Sequence, residues 1–166
     1  MPFIAEQRRA GTLVYVDQVI TMETPVTADE LFSVVADVAN YAEWLELVSK
    51  IEPAEPAAGD PGPAWFVTLR AAVGPLSRSK RLRMVVSDNS NPTRFELKRQ
   101  EVDGRDHSPW ILASDVAAQA TGSDLTLNLH YGGKLWNGIL DSVLERHITA
   151  TRPRLLSYLT ALSTSG

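Results

Sequence analysis

The chain has 166 residues, with ten glycines, ten prolines and no cysteine. Missing thiols exclude disulfides, thiolate metal sites, cysteine nucleophiles and redox relays. Hydrophobic residues at 44% and charged residues at 22% are globular values, and a net charge of −4 argues against a surface built wholly to grip nucleic acid.

Residues 1–11 carry no apolar stretch of signal-peptide length, and their charges follow the apolar part instead of preceding it. They read as a flexible N-terminal arm, with residues 12–166 as a single domain. No window approaches the ~20 apolar residues of a membrane span, so a cytoplasmic location is the expectation. Residues 12–23 are β-branched and aromatic-rich, as a strand requires. Val14, Val16, Ile20 and Met22 share one parity, interrupted by Gln18. After Pro25, Thr27 and Glu30 have capping-box spacing, in which each side chain satisfies a free backbone N–H. Leu31, Phe32, Val34 and Val35 then give a short helix, and Asp37 is placed to cap a second one through Tyr41 and Trp44.

Residues 53–63 hold four prolines and two glycines and read as a loop. Strand-like runs follow at 64–73, 76–87, 93–102, 109–120 and 124–131. Gly74-Pro75, Asn89-Ser90-Asn91-Pro92, Asp103-Gly104 and Gly122-Ser123 break them. Runs joined this closely must be antiparallel. From 134 to 162 apolar residues recur at helical spacing, and Pro153 is expected to kink or split that helix near Arg152. The result is an α+β domain in which the last helix covers the apolar face of the sheet.

The run Pro25-Val26-Thr27-Ala28-Asp29-Glu30-Leu31-Phe32, with Asp37, Tyr41 and Trp44, resembles the start of the START-like (Bet v 1-like) superfamily. Within it, the chain is most similar to the polyketide cyclase/dehydrase and lipid-transport (SRPBCC) group. The turn Val73-Gly74-Pro75 and the stretch Gly132-Gly133-Lys134-Leu135 also resemble the branch named for carbon monoxide dehydrogenase. The resemblance spans roughly residues 13–162. It implies a helix-grip fold, a curved antiparallel sheet of about seven strands wrapped around a long C-terminal helix, enclosing an apolar ligand cavity. It implies no shared catalytic motif.

Trp65, Leu69, Met84, Leu97, Trp110, Leu112, Leu127, Leu129, Trp136, Leu140, Leu144 and His147 are the expected lining of that cavity. His147 reads either as a ligand-binding or acid–base group, or as a buried histidine bonded to its neighbours. Arg99 and Arg78 share parity with apolar strand residues. They fit an anionic head at the inner rim, or side chains reaching water past the core. His107 reads as a loop residue and His130 as outward-facing. Three dispersed histidines give no metal spacing, and no phosphate loop, dinucleotide fingerprint or nucleophile elbow is present. No cofactor is expected.

Residues 70–99 carry eight Lys/Arg against Asp88 and Glu96, whereas residues 17–60 carry ten acidic residues against Lys50 alone. The basic segment, through Arg81 and Arg83, suits an anionic membrane or a protein partner. It lacks the aromatic interleaving of a nucleic-acid site. Three functions follow from these readings. The first is binding or transport of a hydrophobic small molecule such as a lipid, polyketide or isoprenoid-like compound. The second is a polyketide cyclase or dehydratase using Arg99 and His147. The third is an accessory module that docks a membrane or a larger enzyme.

Overall fold

The computed structural model describes the backbone of residues 4–10, 13–73, 75–133 and 138–165, and the side chains of residues 17–70, 75–132 and 145–165. Eight strands form one antiparallel sheet in the order β1-β2-β8-β7-β6-β5-β4-β3. They are β1 (Ile4–Ala10), β2 (Leu13–Thr24), β3 (Val48–Pro53), β4 (Ala64–Val73), β5 (Leu76–Ser90), β6 (Arg94–Arg99), β7 (Trp110–Gln119) and β8 (Gly122–Gly133). Helices α1 (Ala28–Val35) and α2 (Tyr41–Trp44) follow β2, with a 3-10 turn over Val38–Asn40 between them. The long helix α3 (Gly138–Ser165) closes the chain. This is the helix-grip arrangement. Strands β2–β8 supply the seven expected, and β1 is an eighth.

Residues 4–10, read from sequence as an arm, pair with β2 from Ile4↔Val19 to Ala10↔Leu13. Their pattern Ile-Ala-Glu-Gln-Arg-Arg-Ala has no apolar alternation. Only the neighbouring strand supplies a reason for them to be extended. Strand β3 likewise has no signal in the residue order. It pairs with β4 alone, at the other edge of the sheet, with a register shift between Val48 and Lys50.

The α1 capping box forms as expected. Thr27 Oγ1 accepts from the Glu30 N–H at 3.2 Å, and the Thr27 N–H donates to Glu30 Oε2 at 2.8 Å. Asp37 does not cap α2. Its carboxylate instead accepts from Asn40 Nδ2 at 2.7 Å, because the chain enters α2 through the 3-10 turn. Helix α3 runs unbroken through Pro153. The carbonyl that proline leaves without a helical partner belongs to Thr149, an exposed residue that water reaches.

The core lies between the sheet and the helices. Ile20, Met22 and Gln18 are all buried on one face of β2, as their parity requires, while Val14 and Val16 lie outside the described side chains. Helix α3 turns Ile148, Thr151, Leu155 and Leu159 into the core, a three-then-four spacing that keeps one stripe inward. Tyr41 and Trp44 are fully covered and meet edge to face at 5.1 Å between ring centroids. The Tyr41 hydroxyl donates to the Val35 carbonyl, and burial pushes its pKa up strongly.

Candidate functional site

A small cavity of about 30 Å³ lies between the concave face of the sheet and α3. Every described residue around it is apolar or aromatic. Tyr41 and Leu45 come from the α2 region, Leu47 and Val48 from the start of β3, and Val67 and Leu69 from β4. Leu82 and Met84 on β5, Leu97 on β6, Trp110 and Leu112 on β7, Leu129 on β8 and Ile148 on α3 complete it. Strand alternation explains the set: Val67/Leu69, Leu82/Met84 and Trp110/Leu112 are each two positions apart and therefore face one side. Ligand pockets usually reach about 300–1,000 Å³, so this chamber must widen to hold an organic molecule.

Of the twelve residues expected to line a cavity, Leu69, Met84, Leu97, Trp110, Leu112 and Leu129 border this one. Leu127 is buried in the surrounding core, and Trp65 is partly buried against it. Trp136 lies outside the described residues, as do the side chains of Leu140 and Leu144. Trp110 packs on Tyr131 with ring centroids 4.4 Å apart, and its buried Nε1 meets no hydrogen-bond acceptor among the described residues. A buried N–H in that state costs about 1–3 kcal/mol. Tyr41, Leu45, Leu47, Val48, Val67, Leu82 and Ile148 were not foreseen. Leu82 shares the parity of Met84 and was within reach of sequence reasoning, whereas the α2–β3 residues have no periodic signal.

His147 and Arg99 are not brought together. His147 borders an open groove with Glu46, Arg70 and Arg154. Burial holds its imidazole below the ordinary histidine pKa, Glu46 opposing the shift and Arg146 adding to it. Arg99 is almost fully buried near the 100–109 loop. Its Nη1 donates to the carbonyl and hydroxyl oxygens of Ser108 at 3.2 and 3.3 Å, its Nη2 lies 3.2 Å from His107 Nδ1, and its Nε lies 3.6 Å from Glu101. Arg78 is exposed, beyond the covered part of β5.

His107 Nε2 is 2.9 Å from Asp103 in the loop between β6 and β7. Ligand atoms of Glu101, Asp103 and His107 lie within 4.8 Å of one another. With Arg99 at Nδ1 and Asp103 at Nε2, both ring nitrogens of His107 are engaged, and the guanidinium supplies positive charge beside them. His130 Nδ1 lies 2.7 Å from Asp17 across the β2–β8 ladder.

Arg83 overturns part of the basic-patch reading. It is not at the surface: its side chain is 3% exposed and that of its partner Asp60 is 6% exposed. Nη1 and Nη2 donate to the two Asp60 oxygens at 3.0 and 2.6 Å, and also to the carbonyls of Gln100 and Glu55. The proline-rich loop folds over β5 to make this bond. The loop comes so close at Gly62 that an added Cβ would stand 2.6 Å from the Val86 carbonyl oxygen. Arg94 is also neutralised, by Asp88, Glu96 and Asp115. Arg81 remains half exposed, with its guanidinium 3.8 Å above the Phe66 ring.

Residues 16–161 match the family described as polyketide cyclase / dehydrase and lipid transport. No curated protein matches the chain. Among solved structures, a START superfamily protein from Mycobacterium smegmatis superposes with a TM-score of 0.67 at 12% identity, covering 88% of this chain and 98% of its own. The Zhui aromatase/cyclase from Streptomyces sp. R1128 gives 0.60 at 17%, covering 89% and 94%. A STAR-related lipid transfer protein from Xanthomonas axonopodis gives 0.61 at 13%, covering 95% and 98%. At these identities the likeness is one of fold.

Proposed function

The chain belongs to the polyketide cyclase / dehydrase and lipid transport family, and from that premise we propose that it binds a hydrophobic small molecule of lipid, polyketide or isoprenoid type between the sheet and α3. The observation that carries this reading is the apolar lining of the cavity, to which every described residue contributes an apolar or aromatic side chain. Removing apolar ligand surface from water stabilises a complex by roughly 25 cal/mol per Å², and the Trp110 Nε1–H, without a partner among the described residues, is a donor suited to one polar atom of the guest. The unbranched Met84 can change rotamer at low cost as the chamber widens.

The test is uptake of an apolar fluorophore such as N-phenyl-1-naphthylamine, followed by displacement with lipid extracts. Wild type is expected to take up the dye. Leu112→Trp, which fills the chamber, is expected to lose it while keeping a native circular dichroism spectrum. Dye uptake that is absent from wild type, or equal in a folded Leu112→Trp, overturns the reading.

A second reading, docking to an anionic membrane, is favoured by the β4–β5 hairpin. Leu76 near its turn is 60% exposed, and Arg78, Lys80 and Arg81 stand exposed along β5. A protruding apolar side chain above a basic shank matches the layering of acyl chain and acidic head group. Cyclase chemistry through Arg99 and His147 is the weaker reading, since those side chains serve different surroundings.

A further inference from the structure

Beside the cavity lies an open groove of about 460 Å³ between α3, the α2–β3 connection and the β4–β5 hairpin. Val48 borders both the groove and the apolar cavity, so a valine side chain stands at the boundary between them. It sits at a weak point. Strand β3 is a sheet edge with β4 as its one strand partner, and its ladder shifts register between Val48 and Lys50. A bulge at an edge strand yields more easily than a continuous ladder. The 53–63 loop is fastened by Arg83 and Asp60, and Gly132-Gly133 belongs to β8, paired with Tyr15 and Val14 of β2.

The charges in the groove are unevenly matched. Arg154 Nη1 donates to Glu46 at 2.6 Å, and its Nη2 donates to the carbonyls of Ala42 and Glu43. Arg70 donates from Nε to Ser77 Oγ at 2.8 Å and makes no ion pair among the described residues. His147 Nε2 is buried and has no hydrogen-bond partner among them. Arg70 and His147, which both border the groove, thus bring to it one guanidinium without an ion pair and one buried ring nitrogen without a partner among the described residues. We propose that the groove is the head-group subsite of the ligand bound in the chamber. That ligand is then a single-chain amphipath whose carboxylate is held by Arg70 and His147, with its tail passing Val48 into the cavity.

The inference rests on the cavity reading above and adds the ligand's polarity and its route. A monoanion suits the site better than a phosphate dianion, because Glu46 already places a carboxylate in the groove. With burial holding the imidazole neutral, His147 serves as an N–H donor from Nε2 and adds no second cation. A carboxylate bonded by a guanidinium forms the stronger, charge-assisted kind of hydrogen bond.

The experiment compares 11-(dansylamino)undecanoic acid with its methyl ester by fluorescence titration near neutral pH. Wild type is expected to bind the acid about tenfold more tightly than the ester. Arg70→Gln should bring the acid to the affinity of the ester and leave the ester unchanged. His147→Phe, which keeps the ring volume, should weaken the acid selectively. Val48→Ala should speed association of both probes. Equal affinity of wild type for acid and ester, or an acid preference that survives Arg70→Gln, overturns the head-group subsite while the cavity reading stands. Unchanged association rates in Val48→Ala overturn the route. If neither probe binds wild type, the cavity reading falls and this inference falls with it.

Discussion

Arg83 lies on the outer face of β5, where a basic residue would ordinarily meet water, yet the Asp60 carboxylate, two carbonyls and the proline-rich loop cover it. Removing one member of a buried pair leaves the other uncompensated, which is among the more damaging single changes. Arg83→Met is therefore expected to lower Tm by roughly 5–10 °C, measured by calorimetry. The Arg83 hydrogen bonds, then the Ala57 N–H, hold the Asp60 carboxyl down to about 2. A free carboxyl titrates near 4. The contribution of the pair is thus complete above that value and is lost as pH falls toward about 2. Wild-type Tm should fall more steeply than that of Arg83→Met over that acid range; parallel curves would show that the pair does not set acid stability. His147 has the same sign for a different cause. Burial lowers its pKa, so its contribution is present above about pH 6.5 and is lost on acidification. His147→Phe should flatten the wild-type decline in Tm between neutral and mildly acid pH.

At the scale of elements, α3 shows how tertiary packing overrides a local rule. Pro153 predicts a break, but Ile148, Thr151, Leu155 and Leu159 bury one continuous stripe on either side of it. Proline in a helix interior costs about 3 kcal/mol, and the adjacent residue, Arg152, ties the helix to the Thr21 carbonyl at 2.9 Å. Pro153→Ala restores a donor for the Thr149 carbonyl and is expected to stabilise the protein by about 1–3 kcal/mol, read as a higher urea midpoint. The β4–β5 hairpin yields the second prediction at this scale. Arg78→Glu, Lys80→Glu and Arg81→Glu together should abolish cosedimentation with vesicles containing phosphatidylserine, leaving binding to neutral vesicles unaltered. Retained cosedimentation would remove the membrane reading. Strands β1 and β3 escaped sequence reasoning for one reason: each is an edge strand whose conformation is set by its pairing with a neighbouring strand and not by a pattern of its own.

For the molecule as a whole, a chamber of only about 30 Å³ means that binding and widening are coupled. A ligand that binds only the folded chain stabilises it by about 2.7 kcal/mol at a hundredfold its Kd, which corresponds to a Tm rise of roughly 5–10 °C. Absence of any Tm rise at saturating dye would contradict occupancy of the folded state. Much of this architecture was legible in the residue order. Alternation, the turn pairs and the Thr27/Glu30 box are properties of neighbours within a few positions, so the backbone responds to them directly. The inward parity of Leu69, Met84, Leu97, Trp110, Leu112 and Leu129 follows from the two-residue period of a strand. What the order of residues left open was decided by contacts between distant positions. Asp60 reaches Arg83 and Asp115 reaches Arg94, which converts a run of eight basic residues into a few exposed ones on a hairpin. Composition assigns each side chain a charge, but whether that charge meets water or a carboxylate depends on the register of strands and loops. The tertiary structure likewise set the size of the cavity and put Val48 on its wall, because volume and enclosure are properties of packing between elements and have no period along the chain.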